Sequence, residues 1–242
     1  MMATSRHFVA QSAPATDLCV IADHLKSQFL DGLVRPDIKA IMTAASERRF
    51  LANSVIVNQD DSADRLFMLA EGRARYFFVT PGGQKIILFW LTRGEIFGGA
   101  ALLSQPSFYL VSTETVRDSS VLVWNRATLR SLVIRYPKLL ENALSIAFDY
   151  FTWYRAAHVA LTCHTARQRL SQVLAHLALG LGEQVAEGLE FDVTNEELAN
   201  AANVTTFTAS RLLSEWQRNG VLAKTRGKVL LRHPERLLFC QV

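Results

Sequence analysis

Thr206, Phe207, Thr208, Ser210, Arg211 and Ser214 crowd one short stretch, and their types suit contact with base edges. An arginine can donate two hydrogen bonds to guanine, an aromatic ring can lie against a thymine methyl, and a hydroxyl can bond to either kind of base. Ala209, Leu212, Leu213 and Trp216 alternate with them at i, i+3, i+4 and i+7. That spacing predicts a helix with one buried face and the polar set outward. A solvated amphipathic helix would show the same pattern, so its surroundings decide. From Arg211 to Arg236, seven basic residues (Arg211, Arg218, Lys224, Arg226, Lys228, Arg232, Arg236) stand against Glu215 and Glu235. The excess of five exceeds the net +4 of the whole chain, and phosphate contacts require positive charge of this kind.

The elements that must position these residues are legible on either side. Thr194 with Glu197 three residues later forms a capping box, which starts a first helix running through Leu198 to about Ala202. Asn203 and Val204 make a tight turn, and Thr205 caps the second helix. Asn219-Gly220 stops it, Gly supplying a left-handed cap. Apolar runs at 221–223 and 229–231 flank Lys224-Thr225-Arg226-Gly227-Lys228, which reads as strand, basic turn and strand. Residues 191–232 therefore read as a winged helix-turn-helix. Its predicted contacts to duplex DNA are Thr194, Thr205, Thr206, Phe207, Thr208, Ser210, Arg211, Ser214, Lys224, Arg226 and Lys228.

The chain has 242 residues, half of them hydrophobic, enough for one large or two modest domains. No apolar run approaches the roughly 18–20 residues that span a bilayer, and the N-terminus lacks a signal-peptide core. A cytoplasmic protein without a membrane partner is expected. Cys19, Cys163 and Cys240 are too few and too far apart for a disulfide framework or a metal site, and read as reduced thiols. Gly-rich phosphate loops, paired carboxylates and metal-ligand spacings do not stand out. Cys163-His164 are sequence neighbours and would point apart on a helix, which makes a poor nucleophile–base pair. An enzyme is not expected.

Residues 1–24 read as a loose arm. Residues 25–49 read as helical, with apolar clusters at Phe29, Leu30 and Leu33 and at Ile38, Ile41 and Met42 on either side of Pro36. The period then changes to short β-branched and aromatic runs at 54–57, 66–70, 73–80, 84–91, 109–116 and 120–124. Pro81-Gly82-Gly83 is a hairpin turn between two of them. Many short strands at even spacing predict an antiparallel sandwich or barrel, in an α+β chain. A helix at 126–134 ends at Tyr136-Pro137.

A long helix follows to about residue 162. Leu140, Leu144, Ala147, Phe151, Tyr154, His158 and Leu161 alternate in steps of four and three along it, the spacing of a coiled-coil seam. Leu139, Ala143, Ile146, Tyr150, Trp153 and Ala157 form a second stripe beside the first. One stripe would pack on the chain's own sheet and leave the other for a second copy. A helix buried wholly within one subunit is the alternative. Thr165 caps the next helix, which ends at Gly180 and Gly182.

In this order the pieces resemble the CRP/FNR family of bacterial transcription regulators from about residue 25 onward. The resemblance is carried by Asp64-Arg65-Leu66 with Glu71-Gly72, by Pro81-Gly82-Gly83 and by the Gly94-Glu95-Ile96-Phe97-Gly98 turn. Arg169 and the helix-turn-helix stretch complete it. It implies an N-terminal antiparallel β-roll of the cyclic-nucleotide-binding kind, a long dimerisation helix and a C-terminal winged helix-turn-helix. The matching bounds are an arm at 1–24, the roll at 25–136, the helix at 137–164 and the DNA-binding domain at 165–242. It further implies a homodimer on a two-fold symmetric DNA site, gated by an effector at the roll and long helix, that acts on a promoter through RNA polymerase.

The chain departs from that family in its effector region, which corresponds to Phe97, Gly98, Gly99, Ala100, Ala101, Leu110, Val111, Ser112, Tyr154 and Arg155. Cyclic-AMP-binding members hold the ribose with a Glu and the phosphate with an Arg-Ser or Arg-Thr pair. Here the corresponding positions read Gly99 and Leu110-Val111-Ser112. A phosphodiester in a partly dry pocket must be paired, so cyclic AMP is not expected to bind. The neutral lining, including Leu102, suits either an apolar effector or a plain packed core. Only Cys19 lies where iron–sulfur members carry several cysteines. His158 on the seam reads as a hydrogen-bonded interface residue ahead of a haem ligand, a metal ligand or a pH switch. No cofactor is expected. In the recognition helix the family's Arg-Glu positions read Thr206-Phe207, with Arg211 kept, so a half-site richer in thymine contacts is expected. The reading from a different class is a signalling module whose winged helix contacts protein.

Overall fold

The computed structural model describes residues 25–225 and 227–238; the expected arm, residues 1–24, lies outside them. The chain divides into two compact units. Among the described residues, one unit holds residues 25–78 with Trp90–Phe148, and the other holds Val79–Phe89 with residues from Asp149 onward.

Two antiparallel sheets dominate the N-terminal part. The strands are β1 (Ser46–Phe50), β2 (Val55–Val57), β3 (Arg65–Glu71), β4 (Ala74–Val79), β5 (Lys85–Leu91), β6 (Ile96–Phe97), β7 (Ser112–Thr115) and β8 (Ser119–Asn125). Their orders are β1-β8-β3-β6 and β2-β7-β4-β5. Between its ends β3 is buried on both faces, which is why Leu66 to Ala70 reads as a continuous apolar run instead of an alternating one. Leu66, Met68, Ala70, Leu122 and Trp124 form the core with Ile41 and Met42 of α1 (Arg35–Thr43). Trp124 is fully buried, and its indole N–H donates to the Ile41 carbonyl at 2.8 Å.

Three expectations here need correction. The helix expected over 25–49 is a single 3-10 turn (Gln28–Leu30) and α1, and residues 46–50 are strand β1. Its Ser-Glu-Arg-Arg-Phe sequence has no apolar alternation, and β1 is a sheet edge whose hydrogen bonds come from β8, from Ser46↔Val123 to Phe50↔Ser119. Pro36 sits in the first turn of α1, where its missing N–H costs nothing. The expected strand at 109–116 begins only at Ser112, because the Tyr109 N–H bonds the Asp61 carbonyl in a loop contact. Ile96-Phe97, expected in a turn, is strand β6 paired with β3.

Helix α2 (Arg126–Arg135) leads into α3 (Lys138–Cys163). Along α3 the stripe Leu139, Ala143, Ile146, Tyr150, Trp153 and Ala157 is buried or half-buried, whereas Leu140, Leu144, Ala147, Phe151, Tyr154, His158 and Leu161 are exposed. Asn142 is buried, and its amide donates to the Phe29 and Asp31 carbonyls, both at 2.9 Å.

Helix α4 (Ala166–Leu181) begins with a capping box formed by Thr165 and Gln168. Gly180, expected to end it, lies inside it; the cap is Gly182, with φ −67°. Glycine is required there by close approach, since a Cβ would fall 2.2 Å from the Ala178 carbonyl oxygen. Next come β9 (Glu183–Val185), β10 (Gly188–Asp192), α5 (Asn195–Ala201), α6 (Thr206–Arg218), β11 (Leu222–Thr225), β12 (Lys228–Leu231) and α7 (Pro234–Leu238). The wing is therefore part of a four-stranded sheet ordered β11-β12-β10-β9, not a two-stranded hairpin. The added strands carry too few apolar residues to be read alone, and β10 becomes a strand by pairing with β12.

Replacing Asn142 with Ala leaves the buried Phe29 carbonyl, and the partly buried Asp31 carbonyl, without their donor. It should lower unfolding stability by about 1–3 kcal/mol, measured as a shifted urea midpoint with unchanged slope.

Candidate nucleic-acid interface

Helix α6 presents the face expected of it. Ala209, Leu212, Leu213 and Trp216 are buried, Thr206, Arg211 and Ser214 are exposed, and Ser210 is half-buried. Phe207 is 78% exposed on the same face. Among the described residues Arg211 makes no hydrogen bond or ion pair, so its guanidinium is available. Gly220 follows the helix at φ +70°, as expected of its cap.

The three threonines at the helix starts are committed to the fold. The Thr194 hydroxyl accepts from the Glu197 N–H and donates to the Glu197 carboxylate. Thr205 accepts from the Thr208 N–H at 3.1 Å and shares a 2.9 Å hydrogen bond with the Thr208 hydroxyl.

The basic wing is largely answered from within the chain. Lys228 stands on β12 and donates to Glu190 at 2.8 Å, with Asp192 nearby. These carboxylates hold its amine above the usual lysine range, Glu190 through its hydrogen bond foremost. Arg232 pairs with Glu187 at 2.7 Å. Lys224 is half-buried on β11, donates to the Asn195 side chain, and is pushed below the usual lysine range by burial. The residues that offset the wing (Glu183, Glu187, Glu190, Asp192) precede the stretch whose basic excess the sequence displays. Arg226 lies outside the described residues.

Arg169, which sequence reasoning used only as a family marker, holds the turn. Its Nε donates to the Ala202 carbonyl at 2.8 Å, Nη1 to the His164 carbonyl at 2.8 Å and Nη2 to the Asn203 carbonyl at 3.0 Å. The end of α3, the end of α5 and the residue that turns toward α6 thus meet on one guanidinium. Asn203 takes a left-handed φ of +49°, which asparagine tolerates better than most residues.

The residues expected to line an effector pocket do not share one environment. Phe97 is buried, stacked on Phe67 with ring centroids 4.8 Å apart, and Tyr109 leans on Phe67 at 6.4 Å. The Tyr109 hydroxyl donates to the Arg65 carbonyl and accepts from the Arg65 N–H, and burial pushes its pKa up. Gly98 has φ +77°, and a Cβ there would lie 2.7 Å from the Arg65 carbonyl oxygen. Ala101 is wholly within the core, Ser112 is buried and accepts from the Gln59 N–H, whereas Leu110 is 82% exposed and Gly99 is exposed. Ala100 and Val111 are half-buried. Neutral composition cannot distinguish inward from outward residues, which is why the sequence suggested one lining. Tyr154 and Arg155 belong to the second compact unit.

Within that unit Phe89 meets the rings of Tyr150 at 5.1 Å, Trp153 at 5.2 Å and His176 at 5.7 Å. Tyr154 packs edge-on against Trp153, and this partial desolvation raises its hydroxyl pKa although the residue is exposed. Packing beside these rings partly desolvates His176 and lowers its pKa, although the residue as a whole is exposed.

Comparison with known proteins places this geometry. Residues 47–136 match the cyclic nucleotide-binding domain family, and residues 168–239 match the Crp-like helix-turn-helix domain family. The cyclic AMP receptor protein of Thermus thermophilus is 27% identical over 85% of this chain and 93% of its own length. The anaerobic regulatory protein of Bacillus subtilis is 20% identical over 87% of this chain and 90% of its own. Among solved structures, FixK2 from Bradyrhizobium japonicum has a TM-score of 0.70 at 21% identity, covering 80% of this chain and 95% of that one. Among the described residues no helix is long and apolar enough to cross a membrane.

The lowered His176 pKa means that the unfolded chain takes up this proton first. The stability contributed by the neutral ring is present above about pH 6.5 and is lost as pH falls below it. His176→Phe should remove that component from a plot of urea midpoint against pH between about 7 and 5.

Proposed function

The chain belongs to the CRP/FNR family of transcription regulators and carries that family's helix-turn-helix DNA-binding domain, and from this we propose a cytoplasmic homodimer that reads a two-fold symmetric duplex without cyclic AMP. It is not an enzyme: the matched families, and the relatives aligned along most of their length, are regulators. The observation that carries the proposal is the outward face of α6, where Arg211 stands exposed and uncommitted beside Phe207, Ser210 and Ser214. Arg211 takes a guanine, and Phe207 takes a thymine methyl. Contact with RNA polymerase then activates or represses the promoter.

Pairing of two copies is supported by the outward stripe of α3. Leu144 is 72% exposed and Phe151 64%, and Phe148, which the heptad reading passed over, is 67% exposed. A stripe of this length is costly to leave in water and fits a copy of itself. Independence from cyclic AMP is supported by the absence of charge at Gly99, Leu110 and Val111 and by the closed packing of Phe67, Phe97 and Tyr109. That packing favours a filled core over an apolar effector.

Selection from random duplex DNA with ligand-free protein at moderate salt should enrich a two-fold symmetric site. On that site Arg211→Ala should cost about 1–3 kcal/mol and relax one base position in each half. No enrichment by folded, dimeric protein would count against the effector-free reading. Phe151→Glu should shift sedimentation from dimer to monomer. Titration calorimetry with millimolar cyclic AMP should give no saturable heat; a micromolar dissociation constant would refute the pocket reading.

A further inference from the structure

Glu215 stands four residues after Arg211 on α6, the spacing at which a helical carboxylate and guanidinium are neighbours. Left to itself, Glu215 would draw Arg211 along the helix and away from a base edge. In the structure it is already taken. Arg167 Nη2 lies 2.7 Å from each carboxylate oxygen of Glu215, and the Arg167 guanidinium carbon sits 6.0 Å from the centre of the Trp216 ring. This hydrogen bond, before the fields of Arg211 and Arg218, keeps the Glu215 carboxyl below the usual carboxylate range. Arg167 also lies in the first turn of α4, the end of a helix where positive charge is least favoured. A carboxylate partner offsets that penalty, so both members of the pair gain from it.

We infer that Arg167 is a positioning residue for specificity: by occupying the Glu215 carboxylate from another helix, it leaves Arg211 free to read its base. This rests on the reading of Arg211 as a base contact. The pair has a second consequence, because a neutralised Glu215 repels the phosphates less than a bare one.

The test uses the full-length protein and the duplex enriched by selection, with base preference measured position by position and unfolding followed in parallel. Arg167→Met keeps the aliphatic stem beside Trp216 and removes the charge. It should lower discrimination at the Arg211 base roughly tenfold, within the range of one bidentate guanine contact, and leave the other positions unchanged. Adding Glu215→Gln should restore discrimination, because no charged carboxylate then competes for Arg211. Arg167→Lys should fall between, and serves as the informative variant if Arg167→Met does not fold. Uniform weakening at all positions, or failure of Glu215→Gln to rescue, would show that the pair merely joins α4 to α6 and would overturn the inference. If Arg211→Ala removes discrimination and Arg167→Met does not, this inference alone fails. If Arg211→Ala changes nothing, the base-contact reading fails and the inference falls with it.

Discussion

One guanidinium holds the DNA-reading half of this molecule in register. Helix ends leave carbonyls without intrahelical partners, and each must find a donor or water. Arg169 supplies donors in three directions to the carbonyls of His164, Ala202 and Asn203. Arginine alone among side chains has a rigid planar fork of donors that can do this from a single site. One side chain thus ties the end of α5 and the turn before α6 to the start of α4, beside the buried face of α6. A change at Arg169 would disturb the recognition face without touching any residue on it.

Helix α3 is the second constraint. Its two apolar stripes differ by a single step along the chain, and at 3.6 residues per turn they cover adjacent faces. Burying one leaves the other outward, and the divide is visible residue by residue, with Leu139 buried and Leu140 exposed. Such a helix satisfies its own chain with half of its apolar surface only. The exposed half is the surface on which the proposed pairing of two copies rests.

Polar groups on the recognition surface are sparingly free. The hydroxyls of Thr194 and Thr205 serve as caps, that of Thr208 shares a hydrogen bond with Thr205, and Lys228 and Arg232 face carboxylates from the preceding hairpin. Exposed ion pairs of this type are weak and exchange with solvent and counterions. The wing can release Lys228 to a phosphate at small cost, whereas releasing a helix cap would fray α5 or α6. The distinction separates residues that can join a complex from those that must stay where they are.

What the sequence determined by itself is local. The capping box at Thr194, the caps at Thr165 and Thr205, the stop at Asn219-Gly220 and the two stripes of α3 are all short-range patterns, and the structure has each of them. They were legible because a helix satisfies its hydrogen bonds within a few residues. Strand β1 and the β9–β10 hairpin were not, since a polar segment becomes a strand only when a partner such as β8 or β12 arrives from far along the chain. The same holds for side chains. Arg167 and Glu215 are 48 residues apart, and nothing in either neighbourhood announces the pair. Ala101 and Leu110 look alike as neutral residues, yet one is core and the other surface. Tertiary packing decides which face of a segment meets water and which distant charge meets which, because burial and ion pairing are properties of surfaces in contact and not of the residue order.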